Sequence, residues 1–270
     1  MNHQLLGIDE GRQQLYLIDT AKPDFGWTLD LADFPCARDM QRIGWDRALV
    51  GFERGFFEVN IFSGKVLTVC DRWSGVTAVT RRPDGSTLVT GMNLDGTDGV
   101  NVLTLNREFD VLKNARRDGN YVRLMRLTPQ GSYLLSTNDR ILETDTDLNL
   151  RREFVADGFE HAWLAQRMPD GSTLVTAGYG ACFAQFDADG GLIRRFGTAE
   201  QLPSQVAPFF YAAFQFLPSN TVLVANWQGH GPDNGNKGQQ LLEFGLDGEL
   251  LATWSDPARI SSLQGILVLS

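Results

Sequence analysis

Apolar residues along this chain come in short runs of roughly four to eight, alternating or continuous, cut by Pro, Gly, Asp and Asn. That pattern predicts β-strands throughout. The segment 199–208 (AEQLPSQVAP) is the only one that reads as a turn of helix, and its prolines limit it. Four segments align without gaps: RPDGSTLVT (82–90), TPQGSYLLS (128–136), MPDGSTLVT (168–176) and LPSNTVLVA (217–225). Each reads as a strand end, a turn led by Pro83, Pro129, Pro169 or Pro218, and a new strand. Proline presets φ at the second turn position, and Gly or Asn accepts the positive φ that follows.

The prolines recur every 40–49 residues, a period that marks propeller blades. A shorter copy, GWDRALVGF (44–52), lies upstream. Second hairpins follow within the units, at FEVNIFSGKVLTV (57–69), LETDTDLNLRREF (142–154), FAQFDADGGLIRRF (183–196) and LLEFGLDGELLATW (241–254). Each unit therefore holds four strands. The termini supply one more: 262–269 reads as a single apolar strand, whereas Gln4–Asp9, Gln14–Asp19 and 27–31 are three strands without an inner partner. Pairing them removes two sheet edges at once. The expected fold is all-β, a six-bladed β-propeller spanning residues 1–270 as one domain, with its last blade closed by the C-terminal strand. An open β-sandwich is the rival reading, and it leaves the period unexplained.

Composition narrows the partners. The chain has 270 residues, 43% hydrophobic with 17 Phe, enough for a large core. The formal charge of −9 and the lack of any Lys/Arg-rich run argue against nucleic acid. The first residues, MNHQLLGIDEG, lack a basic n-region, and no segment has the length to cross a bilayer. Cys36, Cys70 and Cys182 form no CxxC pair and read as free thiols, or simply as small buried apolar side chains. A cytoplasmic monomer without membrane, metal or cofactor is the expectation.

In a propeller, the connections entering the inner strands and those leaving the second strands crowd one rim of the channel. The first set holds Arg38 with Asp39, Thr77, Asn120 with Tyr121 and Arg123, Glu160 with His161 and Trp163, Phe210 with Tyr211, and Gln264. The second holds Asp9 and Glu10, Glu53 and Arg54, Asn93 and Asp95, Asn138 and Asp139, Tyr179, and Asn226, Trp227 and His230. Arg38, Thr77, Arg123 and Trp163 share one register position, six before the turn proline or its equivalent. Arginines facing a partly enclosed cavity suit carboxylate or phosphate oxygens. The competing reading pairs them with Glu53, Asp139 and Glu160.

Two Gly-rich connections are long, 92–101 and 226–240. In the second, Trp227 offers a stacking face and His230 a titratable nitrogen; the bland reading is a solvent loop whose Trp caps the blade. His161 beside Glu160 is a candidate proton-transfer pair, or a structural hydrogen-bond partner. The candidate catalytic residues are thus His161, Glu160 and His230. The candidate ligand-binding residues are Arg38, Arg54, Arg123, Tyr121, Trp163, Tyr179, Tyr211, Asn226 and Trp227. No ligand spacing supports a metal, and no GxSxG, P-loop or zinc motif occurs.

The PDGSTLVT hairpins resemble those of the broad bacterial group that includes NHL-type, gluconolactonase-like and PQQ-like-repeat propellers. The GHG after VLVANW, followed by QLLEFGLDGELLATW, is similar to the closing blade of surface-layer-like propellers without assigned activity. The gluconolactonase-like resemblance implies a divalent metal held by Glu, Asn and Asp on the inner rim. The Arg38, Thr77, Arg123 and Trp163 positions here do not match that set. Strictosidine-synthase-like propellers act through one rim acid, which Glu160 resembles. The rim chemistry as a whole leads to two expectations. One is a binder or enzyme for a small polar or anionic ligand of carbohydrate type, such as a sugar acid, lactone or glycoside. The other is a protein-interaction scaffold without chemistry.

Overall fold

The structure is a computed structural model that describes residues 1–119 and 121–270. Its strands form six four-stranded antiparallel sheets. Blade one holds β4 (Asp39–Arg42), β5 (Arg47–Phe52), β6 (Gly55–Asn60) and β7 (Val66–Asp71). Blade two holds β8 (Val76–Arg81), β9 (Thr87–Met92), β10 (Val100–Leu105) and β11 (Val111–Arg117). Blade three holds β12 (Met125–Leu127), β13 (Tyr133–Ser136), β14 (Ile141–Thr144) and β15 (Leu150–Phe154). Blade four holds β16 (Ala165–Arg167), β17 (Thr173–Thr176), β18 (Phe183–Phe186) and β19 (Leu192–Phe196). Blade five holds β20 (Phe210–Leu217), β21 (Thr221–Trp227), β22 (Leu241–Gly245) and β23 (Leu250–Trp254).

Blade six is composite. β24 (Leu263–Val268) forms its inner strand and pairs antiparallel with β1 (Gln4–Asp9), which continues to β2 (Gln14–Asp19) and β3 (Thr28–Asp30). Leu6 faces Leu267 and Gly7 faces Ile266 across this seam. Single turns of 3-10 helix occur at Ala199–Gln201 and Ser204–Val206, within the one segment expected to hold helix, and a further one occurs at Leu94–Gly96.

The strand patterns follow position in the blade. β9, β13, β17 and β21 are apolar or threonine-rich and buried almost throughout, because neighbouring blades cover both faces. The outermost strands β7 and β23 largely alternate between more and less exposed positions, as a half-covered edge should. The turn chemistry is as the sequence predicts: Gly85, Gly131, Gly171 and Asn220 have φ of 88°, 83°, 88° and 62°. The Asp84 and Asp170 side chains accept from the amides of Ser86 and Ser172, both at 2.9 Å. Cys70 and Cys182 are buried free thiols, whereas Cys36 is exposed.

Two sets of polar contacts join the blades. Side chains of one inner strand satisfy backbone groups of the next: Asp39 accepts from the Val79 amide (2.9 Å), Gln41 from Arg81 (2.6 Å) and Gln215 from Val268 (2.8 Å). Gln166 donates to the Phe214 carbonyl (3.2 Å). These contacts occupy backbone groups of the inner strands β8, β20 and β24. Further out, a carboxylate on the third strand of one blade meets a basic group of the next. The pairs are Glu58–Arg81 (3.0 Å), Glu143–Arg167 (2.6 Å) and Glu243–His3 (3.0 Å).

Deleting 263–270 should leave β1 and β20 without their neighbour and yield aggregated or non-cooperatively melting protein by size-exclusion chromatography and thermal denaturation. A soluble monomer with a sharp melt would refute closure as a requirement. At Glu243, burial favours the neutral acid, but hydrogen bonds from His3 and Thr221 outweigh it and hold the pKa below the ordinary 4.5. A depressed carboxylate pKa stabilises the fold above the unfolded value and loses that contribution as pH falls through the folded one. Glu243→Gln should therefore cost about 1–2 kcal/mol near neutrality. The difference from wild type should shrink below about pH 4, read from urea melts across pH.

Candidate functional site

Residues from blades one, three, four, five and six line a cavity of about 240 Å³ at one mouth of the channel. The shared register of three of them is visible in the backbone. The amides of Arg38, Arg123 and Trp163 donate to Gly51, Ser136 and Thr176, the equivalent carbonyls of their blades, at 3.1, 2.7 and 2.9 Å. All three side chains line the cavity. Thr77 departs from the set, because β8 carries a bulge between Val76 and Ala78 and the Thr77 hydroxyl turns onto the Thr90 carbonyl (3.3 Å).

The arginines do not pair with acids. Arg38 donates to the Tyr121 hydroxyl (3.2 Å) and the Cys36 carbonyl (3.2 Å). Arg123 donates to Asn138 (3.0 Å) and lies over the rings of Tyr121 and Trp163, at 4.9 and 5.6 Å from their centroids. Among the described residues neither has a carboxylate within ion-pairing distance. The expected alternative partners Glu53, Asp139 and Glu160 are not used, and Asp139 pairs with Arg140 instead (2.8 Å). Burial, reinforced by the nearby Arg38 cation, lowers the Arg123 pKa from its ordinary value. The Nε of Arg123 and the indole nitrogen of Trp163, itself 2% exposed, are buried without a hydrogen-bond partner. Deeper in the channel charge is neutralised, since Arg126 grips Asp39 through both carboxylate oxygens (2.7 and 3.2 Å).

Glu10 and His230 line the same cavity. His230 Nδ1 lies 2.8 Å from Glu10 Oε1, and the Trp227 indole donates to Oε2 at 3.2 Å. An ionised carboxylate only accepts, so Nδ1 carries the proton in this contact, and in the neutral ring Nε2 keeps its lone pair. The loop carrying His230 is stitched down. Asn226 accepts from the Phe209 amide (2.9 Å) and donates to Gln239 (2.8 Å). Asn234 donates to the carbonyls of Gly229 and His230 (both 2.8 Å), and the Gln228 amide donates to Ser262 (2.8 Å). Ile8, Leu31, Phe34, Pro35 and Ala37 add apolar surface to the lining.

Of the residues chosen from sequence, Arg38, Tyr121, Arg123, Trp163 and His230 meet at this cavity. The others are placed elsewhere. Tyr211 is wholly buried with its hydroxyl on the Gly197 carbonyl (2.7 Å), and burial pushes its phenol pKa far up. Asn226 spends its side chain on holding the loop. Trp227 is 3% exposed and packs on Phe210 and His230, so it braces the wall from behind. Arg54 pairs with Asp71 (2.8 Å) on the outer rim. Tyr179 sits outside the cavity between His161, Phe209, Phe210 and Trp227.

His161, at φ 60°, contacts the Tyr179 ring at 5.4 Å, and Glu160 is exposed; no hydrogen bond joins the two among the described residues. Gly178 holds this turn close, where a Cβ would lie 2.2 Å from the His161 carbonyl. Asn120 lies outside the described residues. The acid–histidine pair is thus Glu10–His230, which adjacency in sequence does not reveal. The apolar run before Glu10 and the Gly-rich setting of His230 marked each singly. No group of three or more metal-type side chains is gathered among the described residues, and no helix is long and apolar enough to cross a membrane.

Burial, and then the Arg123 cation, hold the His161 pKa below 6.5, against a smaller opposing pull from Glu160. Replacing Arg123→Met should move the imidazole titration upward, still short of 6.5 because burial remains. NMR titration of the His161 ring protons reads this directly, and an unmoved midpoint would show that Arg123 does not act on it.

No family model matches the chain, and no curated protein matches it in sequence. Among solved structures, the fold is similar to a protein of unknown function from Bacteroides caccae, at TM-score 0.79 and 19% identity over 99% of both chains. It is also similar to a catalytically inactive variant of virginiamycin B lyase from Staphylococcus aureus with quinupristin, at TM-score 0.60 and 11% identity, covering 99% of this chain and 92% of that one. A streptogramin B lyase matches at TM-score 0.59 and 12% identity, covering 95% and 88%. These likenesses, at such identities, establish the fold. The neighbours include virginiamycin B lyase-like propellers and propellers without an assigned function, while the NHL and gluconolactonase-like group is not singled out.

Proposed function

We propose that the channel mouth binds a small organic anion, held by Arg38 and Arg123. The observation that carries this reading is a pair of neighbouring guanidinium groups, one with its pKa lowered by burial, lining a cavity with only neutral partners. Partly buried arginine is normally matched by a carboxylate, since an uncompensated cation there is costly. A bound carboxylate or phosphate supplies the missing charge and suits the planar fork of the guanidinium. The Glu10–His230 pair adds a lone pair at Nε2, which equips the same cavity to take up a proton from its ligand.

The side formed by Leu31, Phe34 and Ile8 offers no hydrogen-bond partners for hydroxyl groups, and it favours a ligand with an apolar part. A protein-interaction scaffold without chemistry should have rim charges that pair with one another. Such pairing exists at Asp39–Arg126 but stops short of Arg38 and Arg123.

The test is a thermal-shift and calorimetry panel setting a carboxylate, 3-phenylpropionate, against its neutral amide. The carboxylate should raise the melting temperature at millimolar concentration and the amide should not. Arg123→Met should weaken the carboxylate by about 1.5–3 kcal/mol. The same variant, unliganded, should be at least as stable as wild type, because it removes a half-buried cation without a counter-ion. Equal stabilisation by acid and amide, or binding indifferent to Arg123, would overturn the reading.

A further inference from the structure

We infer that the ligand is a zwitterion of the α-amino acid type with an apolar side chain. Its carboxylate lies on Arg38 and Arg123, its ammonium on Glu10 and its side chain against Ile8, Leu31 and Phe34. The inference rests on the anion reading and deepens it. It starts from an arrangement that proteins rarely leave standing: opposite charges line one small cavity without meeting. Glu10 has the His230 ring (2.8 Å) and the Trp227 indole (3.2 Å) as partners, while Arg38 and Arg123 have a hydroxyl, a carbonyl and an amide as theirs. Among the described residues no ion pair joins the Glu10 side to the arginine side, although both line the same cavity of about 240 Å³.

Long, flexible side chains of opposite sign collapse onto each other when nothing holds them apart. Here each is tied down. Tyr121 and Cys36 hold Arg38, and Asn138 with the Tyr121 and Trp163 rings hold Arg123. The Trp227 indole and the His230 ring hold Glu10. A molecule that enters this gap meets cations on one wall, an acid on another and hydrocarbon on a third. A simple anion satisfies the first wall and places its remainder against an unneutralised carboxylate. An α-amino acid satisfies both charged walls, because its ammonium and carboxylate groups are both attached to one carbon.

Size points the same way. Pockets for drug-sized ligands run to roughly 300–1,000 Å³, so 240 Å³ suits one amino acid and not a peptide. The apolar wall requires a side chain such as that of leucine or phenylalanine, and glycine leaves it uncovered. The charges also explain why the acid is buttressed. Trp227 and His230 leave Glu10 as an oriented acceptor with lone pairs to spare, and its side chain is 26% exposed.

The experiment compares phenylalanine, 3-phenylpropionate (no amine), phenethylamine (no carboxylate) and glycine by calorimetry on wild type and Glu10→Gln. Phenylalanine should bind wild type about tenfold or more tighter than 3-phenylpropionate, with phenethylamine and glycine weaker still. Glu10→Gln should bring phenylalanine down to the level of 3-phenylpropionate and leave the latter unchanged or improved. If 3-phenylpropionate binds as well as phenylalanine and depends on Arg123, the zwitterion is refuted while the anion site stands. If neither acid binds wild type, both readings fall. The wild-type ligand series decides the matter even where Glu10→Gln disturbs the loop that Glu10 anchors.

Discussion

The ring closes through main-chain hydrogen bonds between β24 and β1, and the remaining structure depends on that seam. A propeller blade is buried on both faces, so it is stable only when both neighbours are present. β24 also receives blade five, whose Gln215 accepts from the Val268 amide, and the Leu269 and Gln4 backbones extend the pairing past the strand ends. Next to the seam, Asp9 is wholly buried and accepts from the amides of Ser261 and Ser262 (both 2.8 Å), which fixes the entry into β24. Glu10 follows Asp9 directly. The closure and the acid wall of the cavity are therefore one local structure.

Closure also explains how the cavity keeps opposite charges apart. Residues on one flexible loop would find each other, but Arg38, Arg123 and Glu10 belong to blades one, three and six, and the ring sets their spacing. Within the ring the charges deep in the channel and between blades are matched: Asp39 with Arg126, Glu58 with Arg81 and Glu143 with Arg167. The mouth is where matching stops. A rigid frame with local imbalance is the physical form of a binding site, since the stability of the frame offsets the strain of the mouth.

The loop of blade five shows how sequence features trade roles. Its glycines and its Trp and His signal a ligand-facing loop, yet the Trp turns inward and the amide side chains hold the backbone still. Asn226, Gln228, Asn234 and Gln240 are all buried, and their hydrogen bonds replace the strand ladder that the loop lacks. His230 emerges, its side chain 77% exposed, and it is steered by Glu10.

The sequence by itself determined the blades, their number, the strand that closes the last one, and the register that lines up Arg38, Arg123 and Trp163. These are legible because they are local. Turn residues set φ, apolar period sets the buried face, and the spacing from a turn proline fixes a position along an inner strand. The tertiary structure alone decided which rim side chains share a cavity and which turn away. Tyr211 and Trp227 sit at rim positions but pack into the seams between blades, and Thr77 is diverted by a bulge. Glu10 and His230 are 220 residues apart in the chain and 2.8 Å apart in space. Side-chain direction at a strand end depends on what the neighbouring blade offers it, a hydrogen-bond acceptor or an apolar gap, and that neighbour is supplied only when the ring has closed.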